Sequence, residues 1–425
     1  MKHTLCALAA VYLFVSAPPL AEQAVVTAFT NARVIGGAGH PEVENAVIVV
    51  RQGRIEAIGP ASAVRPPNGA RVVDLGGKFA MPGLISAHSH VSDVNGMQPS
   101  AYTEANTVRQ LQVFARYGVT SVWSLGGEQA PAFKIRDEQQ TASLDRARIW
   151  VAGDVIAAST PDEARTRVAE VAAMKPDVIK IRVDDNLGTT AKMAPAVYRA
   201  VIDEAHARKL RVAAHIFYLA DAKDLVRAGV DVIAHSVRDR DVDDDFINLM
   251  RARNIPYCPT LTRELSTFVY ESTPAFFNDP FFLTEADPAV IASLNEPAHQ
   301  QVMRASKSAQ GYKAALPIAS RNLKRVADMG IPIAMGTDSG PSPERFQGYF
   351  EHLEMEMMVQ AGMSPSAVLR SATVGAAATM RVPGVGALAP GAWADFVVLE
   401  RDPRQDIKNT RSIVSVWVAG NEVKR

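Results

Sequence analysis

Lys180 lies between two isoleucines in the run "DVIKIRVDD" (177–185), whose β-branched character predicts a buried strand. Burying an ammonium is costly, so such a lysine either reaches solvent with its tip or gives up its proton. Residues with related chemistry fall in similar short apolar runs. His88 and His90 end "GLISAHSH", two positions apart and so on one side of a strand. His215 lies in "RVAAHIF", His235 in "VIAHSV" and Asp338 in "IPIAMGTDSG". Imidazole and carboxylate are ordinary ligands of divalent metals. Taken singly each has a plainer reading: His215 as a satisfied core histidine, Asp338 as a turn residue, Lys180 as a strand-end lysine. Taken together they point to a metal site, because the other histidines (His3, His40, His206, His299, His352) all fall outside such runs.

The runs also specify how these groups are carried. Eight follow one another after about residue 80: 83–90, 119–126, 148–157, 178–184, 211–217, 232–237, 255–261 and 331–340. Between them lie helical stretches such as "PAVYRAVIDEAHARK" (195–209) and "LADAKDLVRAG" (219–229), the latter ending at a glycine as helices often do. Eight strand–helix units predict an α/β fold of the (β/α)₈ TIM-barrel type, with the six residues converging at the C-terminal strand ends. A doubly wound sheet is the alternative, but the Gly-rich phosphate turn it would carry after its first strand is missing. Residues 25–80 alternate in period two, with a hairpin expected at Gln52-Gly53, and 384–425 share that β character. The expected organisation is a leader over 1–24, a β-sandwich built from 25–80 and 384–425, and a barrel over 81–383 with an inserted loop at 262–300.

The chain has 425 residues, with 45 basic against 45 acidic side chains. That balance gives no field for nucleic acid or an anionic membrane. The opening "MKHTLCALAAVYLFVSAPPLAEQA" has the build of a secretory signal peptide, which implies an exported protein, periplasmic or secreted, without a stable membrane span in the mature chain. Without that segment, Cys258 is the remaining thiol and an internal disulfide is excluded.

The motifs have a counterpart. "MPGLISAHSH" resembles the entry motif of the amidohydrolase superfamily, "GTDSG" its strand-eight aspartate, and "GVGALAPGAWADFVVLERDP" (384–403) its return to the small β domain. A strand-four lysine is found in its prolidase-like and N-acyl-amino-acid hydrolase branch, and in phosphotriesterases and lactonases. The resemblance implies two divalent metal ions, zinc by default with manganese, cobalt or iron as alternatives. His88, His90 and Asp338 would hold one, His215 and His235 the other, and a CO₂-derived carbamate on Lys180 would bridge them. It further implies hydrolysis of a C–N (amide) bond, in a dipeptide or N-acyl amino acid, by attack of a metal-bridging hydroxide with Asp338 moving the proton. A lactonase or phosphotriesterase on the same centre is the alternative, and a metal-loaded binding protein without turnover is a third reading.

Substrate choice should lie in the loops after the strands. Arg182, Arg238 and Arg263 are candidates to grip a substrate carboxylate, and Tyr218 to hydrogen-bond the reacting carbonyl. The segment 262–288 concentrates Phe268, Tyr270, Phe276, Phe277, Phe281 and Phe282. It reads either as a packed subdomain or homo-oligomer interface, or as a lid with an aromatic wall.

Overall fold

A computed structural model describes residues 26–36 and 42–425; the leader expected over 1–24 lies outside the described residues. The strands, in chain order, are β1 (Val26–Val34), β2 (Val43–Arg51), β3 (Arg54–Pro60), β4 (Arg71–Asp74), β5 (Phe79–Pro82) and β6 (Leu84–Ser89). A two-residue pair, β7 (Val94–Asn95) and β8 (Gln98–Pro99), follows. Then come β9 (Val119–Ser124), β10 (Arg148–Val151), β11 (Ile179–Val183), β12 (Val212–Ile216), β13 (Val232–Ala234) and β14 (Tyr257–Cys258). The tail adds β15 (Phe396–Leu399), β16 (Ile413–Val418) and β17 (Asn421–Glu422).

Both chain ends meet in one mixed sheet of eight strands, ordered β17-β16-β15-β5-β1-β2-β3 with β4 also on β1. The expected joining of 25–80 with 384–425 in one β unit is present as a single hydrogen-bonded mixed sheet. The register of β1 shifts between Phe29 and Ala32, so its first half pairs with β4 and its second half with β5. One bent strand thereby holds the hydrogen bonds that two separate strands would have needed. The β2–β3 hairpin turns at Gln52 (φ 50°) and Gly53 (φ 76°), both left-handed as a two-residue loop requires. Phe29, Phe396 and Trp417 pack inside this sheet, with Phe29 edge-on to both others at 5.0 and 4.6 Å.

The parallel strands that carry the chemistry form a three-stranded sheet, β10-β9-β6, and a four-stranded sheet, β11-β12-β13-β14. The eighth apolar run forms no strand of its own, yet it bonds on both sides. Ala334 N–H donates to the Tyr257 carbonyl at 3.1 Å, and Ala87 N–H donates to the Met335 carbonyl at 2.8 Å. Single parallel bridges join Tyr257 to Ile333, Ser89 to Ser339 and Ile156 to Ile181. Gly336 permits this approach, since a Cβ there would lie 2.6 Å from Cys258 Sγ and 2.7 Å from His88 N.

Helices cover the strands with apolar stripes. Pro195–Ala207 starts on a proline and buries Val197, Val201, Ile202 and Ala205. Leu219–Ala228 ends at Gly229 with φ 101°, the expected left-handed stop. The mixed sheet is tied to the parallel strands by Arg148, which is fully buried: its Nε donates to Asp395 Oδ2 at 2.7 Å and its guanidinium lies 3.9 Å over Trp393. No helix among the described residues is long and apolar enough to cross a membrane.

Candidate metal centre

The C-terminal strand ends bring the six predicted residues to one cavity of about 210 Å³. His88, His90, Lys180, His215, His235 and Asp338 all line it. His88 Nε2 is 3.0 Å from Lys180 Nζ and 3.4 Å from Asp338 Oδ1. His90 Nε2 is 2.9 Å from the same carboxylate oxygen. The His235 ring stands 4.5 Å from that of His88 and 4.0 Å from that of His215. Ligand atoms of His88, His235 and Asp338 all lie within 4.8 Å of one another, close enough to hold a metal ion. His215 Nε2 meets Asp184 Oδ2 at 2.8 Å.

The protonation pattern follows from burial. Desolvation pulls His88 and His235 well below the usual imidazole range and His215 down to about 3, which leaves them neutral with a lone pair to offer. Lys180 falls to about 8 for the same reason, within reach of a neutral amine. Burial pushes Asp338 up, but Arg345 and the His90 hydrogen bond outweigh it and hold the carboxyl well below its ordinary value. Arg345 Nη1 donates to Asp338 Oδ2 at 2.6 Å.

These residues fit divalent cations. His88 Nδ1 and His235 Nε2 are buried with no hydrogen-bond partner among the described residues. His90 Nδ1 lies 2.8 Å from the Gly126 carbonyl, which accepts but cannot donate, so the proton belongs on Nδ1. The His90 Nε2 lone pair then faces Asp338, an arrangement that needs a cation, whether proton or metal. His235 Nδ1 meets Thr260 Oγ1 at 2.6 Å, again fixing the far side of the ring.

Of the four substrate candidates, two reach the cavity. Arg182 lines it with an exposed side chain whose Nη2 is 3.5 Å from Asp184 Oδ2. Arg263 lines it too, buried over the Tyr312 ring at 4.2 Å and paired with Glu264 at 3.1 Å. Arg238 is turned away: it donates to the carbonyls of Ile216 and Ser236, both at 2.7 Å, and its Nε lies 2.9 Å from Glu264 Oε1. Tyr218 donates its hydroxyl to Asp185 Oδ1 at 2.8 Å and does not line the cavity. Sequence reasoning passed over Arg345 and Asp184. Asp184 had a signal, four positions after Lys180 and so on the same strand side; Arg345 sits in a loop without periodicity.

Three buried carboxylates frame the site. Glu128 accepts from the N–H groups of Gly126, Ala152 and Gly153 at 2.9, 3.0 and 2.7 Å. Glu351 gathers the hydroxyls of Ser86, Ser89, Thr337 and Ser339. Glu354 accepts from the N–H groups of Leu261 and Thr262 at 2.8 and 2.7 Å. The aromatic segment lies elsewhere. Tyr270, Phe277 and Phe282 are buried against Tyr117, Tyr349 and Phe350, and none of its six aromatic residues lines the cavity.

Known proteins share this architecture. The crystal structure of a protein provisionally described as a prolidase from Bifidobacterium longum superposes with a TM-score of 0.77 at 26% identity, covering 95% of each chain. A Xaa-Pro dipeptidase with bound methionine gives 0.75 at 20% identity, covering 94% of this chain and 100% of that one. In sequence, an uncharacterized protein of Mycobacterium bovis is 26% identical over 378 residues, 87% of this chain and 90% of its own. A 5-methylthioadenosine/S-adenosylhomocysteine deaminase of Nitratidesulfovibrio vulgaris is 24% identical over 415 residues, 90% of this chain and 85% of its own. The family model described as the amidohydrolase family matches residues 79–423, from β5 through the histidine cluster to the last strand, and the chain belongs to that family.

Proposed function

We propose that this protein is a metal-dependent hydrolase of C–N bonds, acting on a dipeptide or N-acyl amino acid. The observation that carries the reading is the convergence of four histidines, Lys180 and Asp338 on one cavity, with His88 Nδ1 and His235 Nε2 buried and without a partner among the described residues. Membership of the amidohydrolase family and the likeness to a prolidase-like structure support it. His88, His90, His215, His235 and Asp338 would hold two divalent ions, zinc by default, with manganese, cobalt or iron as alternatives. Lys180 would lie between them as a carbamate, formed when its neutral amine takes up CO₂ and loses a proton. When bound, the ions supply Lewis acidity, which eases ionisation of water and polarises the scissile carbonyl.

The chain's own groups do the rest. Asp338 is kept ionised by Arg345 and His90, so its carboxylate can take a proton from the attacking water and pass it to the leaving nitrogen. Arg263 and Arg182 at the cavity present guanidinium groups to a substrate carboxylate. Leu125, Val155 and Pro341 complete the lining with apolar surface for a side chain. We also read the two parallel sheets and the eighth run as arcs of one (β/α)₈ barrel, which the three isolated bridges support. Export to the periplasm or beyond rests on the leader sequence.

The test is turnover by the metal-loaded protein with Xaa-Pro and other dipeptides, N-acyl amino acids, lactones, phosphotriesters and 5-methylthioadenosine. Release of free amino acid is the expected result. Turnover confined to lactones or phosphotriesters, or release of ammonia from the nucleoside, would overturn the amide reading. Lys180→Met should lose metal and most of its rate, whereas full metal content and rate in that variant would remove the carbamate.

A further inference from the structure

A second cavity, of about 530 Å³, opens at the opposite ends of the parallel strands. Its lining includes Arg211, Asp231, Pro256 and Gly330, which directly precede β12, β13, β14 and the eighth run, whereas the metal centre sits where those segments end. The volume is that of a small-molecule site, for which about 300–1,000 Å³ is usual. Its walls are apolar at Ile331, Pro332 and Met363, but four arginines stand around them: Arg211, Arg253, Arg370 and Arg381.

The charge there is unbalanced. The one acid in the lining, Asp231, already accepts through Oδ2 from Val212 N–H at 2.8 Å and meets His206 Nε2 at 2.9 Å. Arg370 and Arg381 form no ion pair within 4.0 Å among the described residues. Arg211 donates to the carbonyls of Thr379 and Met380, both at 2.6 Å, so the carbonyl end of helix Val374–Met380 is already satisfied. Burial, and then the charge of Arg381, push the Arg211 guanidinium down to about 10. A group disfavoured by a neighbouring cation gains from an anion placed between the two. The walls are also braced, since Met335 N–H donates to the Ser371 carbonyl at 2.9 Å.

We propose that this cavity binds a small amphipathic anion, a carboxylate or phosphate monoester carrying an apolar body. Guanidinium groups match the paired oxygens of either headgroup, and the apolar walls take up the body. The site is independent of the metal centre and of the reaction assigned to it.

The test is calorimetric titration of the full chain, metal-loaded and metal-stripped, with phenyl phosphate, hexanoate and inorganic phosphate. Saturable one-to-one binding of phenyl phosphate or hexanoate is expected in both states, with inorganic phosphate weaker because it lacks the body. Which of the two binds more tightly identifies the headgroup. The double variant Arg370→Glu/Arg381→Glu changes two exposed side chains and should keep fold and turnover. It should weaken binding roughly tenfold or more through loss of charge-assisted contacts. Absence of saturable binding at millimolar probe, binding that disappears with the metal, or unchanged affinity in the double variant would each overturn the proposal.

Discussion

Glu351 offers the sharpest test of how the metal centre is supported. Its Oε1 lies 3.0 Å from Ser86 Oγ, 3.1 Å from Ser89 Oγ, 2.7 Å from Thr337 Oγ1 and 2.9 Å from Ser339 Oγ, while Oε2 accepts from Gly348 N–H at 2.8 Å. Ser86 and Ser89 flank His88, and Thr337 and Ser339 flank Asp338, so one buried carboxylate fixes both segments that carry ligands. In Glu351→Ala the hydroxyls can re-pair only in part. Ser339 reaches Ser89 at 3.3 Å and Ser89 reaches Ser86 at 2.6 Å, which leaves the Ser86 and Thr337 hydroxyls and Gly348 N–H without acceptors. Three orphaned donors at about 1–2 kcal/mol each predict a loss of about 3–6 kcal/mol. In Glu351→Gln the amide oxygen can keep Gly348 and two hydroxyls can accept from the amide, so only the Ser86 and Thr337 hydrogens stay without acceptors and about 2–4 kcal/mol is expected. Urea unfolding of the metal-stripped protein gives the stability, and metal per chain after dialysis against a chelator gives the effect on the site. Alanine should lose more metal than glutamine. An alanine variant within about 1 kcal/mol of the parent and with undiminished metal would refute the idea that Glu351 holds the two segments together.

Three further outcomes follow from other buried groups. Burial depresses His352 from 6.5 to about 3, so its neutral form contributes stability above pH 6.5 that is lost as the pH falls toward 3. Between pH 7 and pH 5 that amounts to about 2 kcal/mol, and the stability curve of His352→Asn should be flatter than the parent's by that much; parallel curves would sink the assignment. Arg148→Met should cost about 3–5 kcal/mol by stranding Asp395, with much of it restored in Arg148→Met/Asp395→Asn, as read by denaturant titration. A single variant as stable as the parent would show that the pair does not tie the mixed sheet to the parallel strands. Phe282→Ala, removing a ring packed 4.8 Å from Phe346 and 5.0 Å from Tyr349, should cost about 3–5 kcal/mol and leave substrate preference unchanged. A changed preference would restore the aromatic segment as a lid.

What the sequence revealed of the site divides along a physical line. His88, His90, Lys180, His215 and His235 were legible because they fall within or directly after short apolar runs that form strands, and Asp338 because it lies near the end of the last apolar run. Gln52-Gly53 and Gly229 were legible because left-handed backbone is a local demand. The single mixed sheet was not, since a register shift inside β1 decides which strands share it, and pairing partners leave no trace in a strand's own residues. Helix Tyr349–Gln360 is illegible for a related reason. Its "EHLEME" stretch has the composition of a solvent face, yet Glu351, His352, Glu354 and Glu356 are buried because strand ends and loops bring them donors.

The same line separates Arg263 from Arg238, and it explains Arg345. All three are arginines near strand ends, and nothing within a few residues of any of them says whether its charge faces substrate, a ligand or a distant acid. Glu264, twenty-six positions on, pairs with Arg238 and takes it out of the cavity, whereas Arg345 enters the site because Asp338 is there to receive it. A group that brings charge into a fold is set by the period of its own element. The group that neutralises it is set by whatever the fold places opposite, so it becomes visible only in space. Arg370 and Arg381 are informative for the same reason: among the described residues neither forms an ion pair, and both line a formed cavity, so a counter-charge there would have to come from outside the chain.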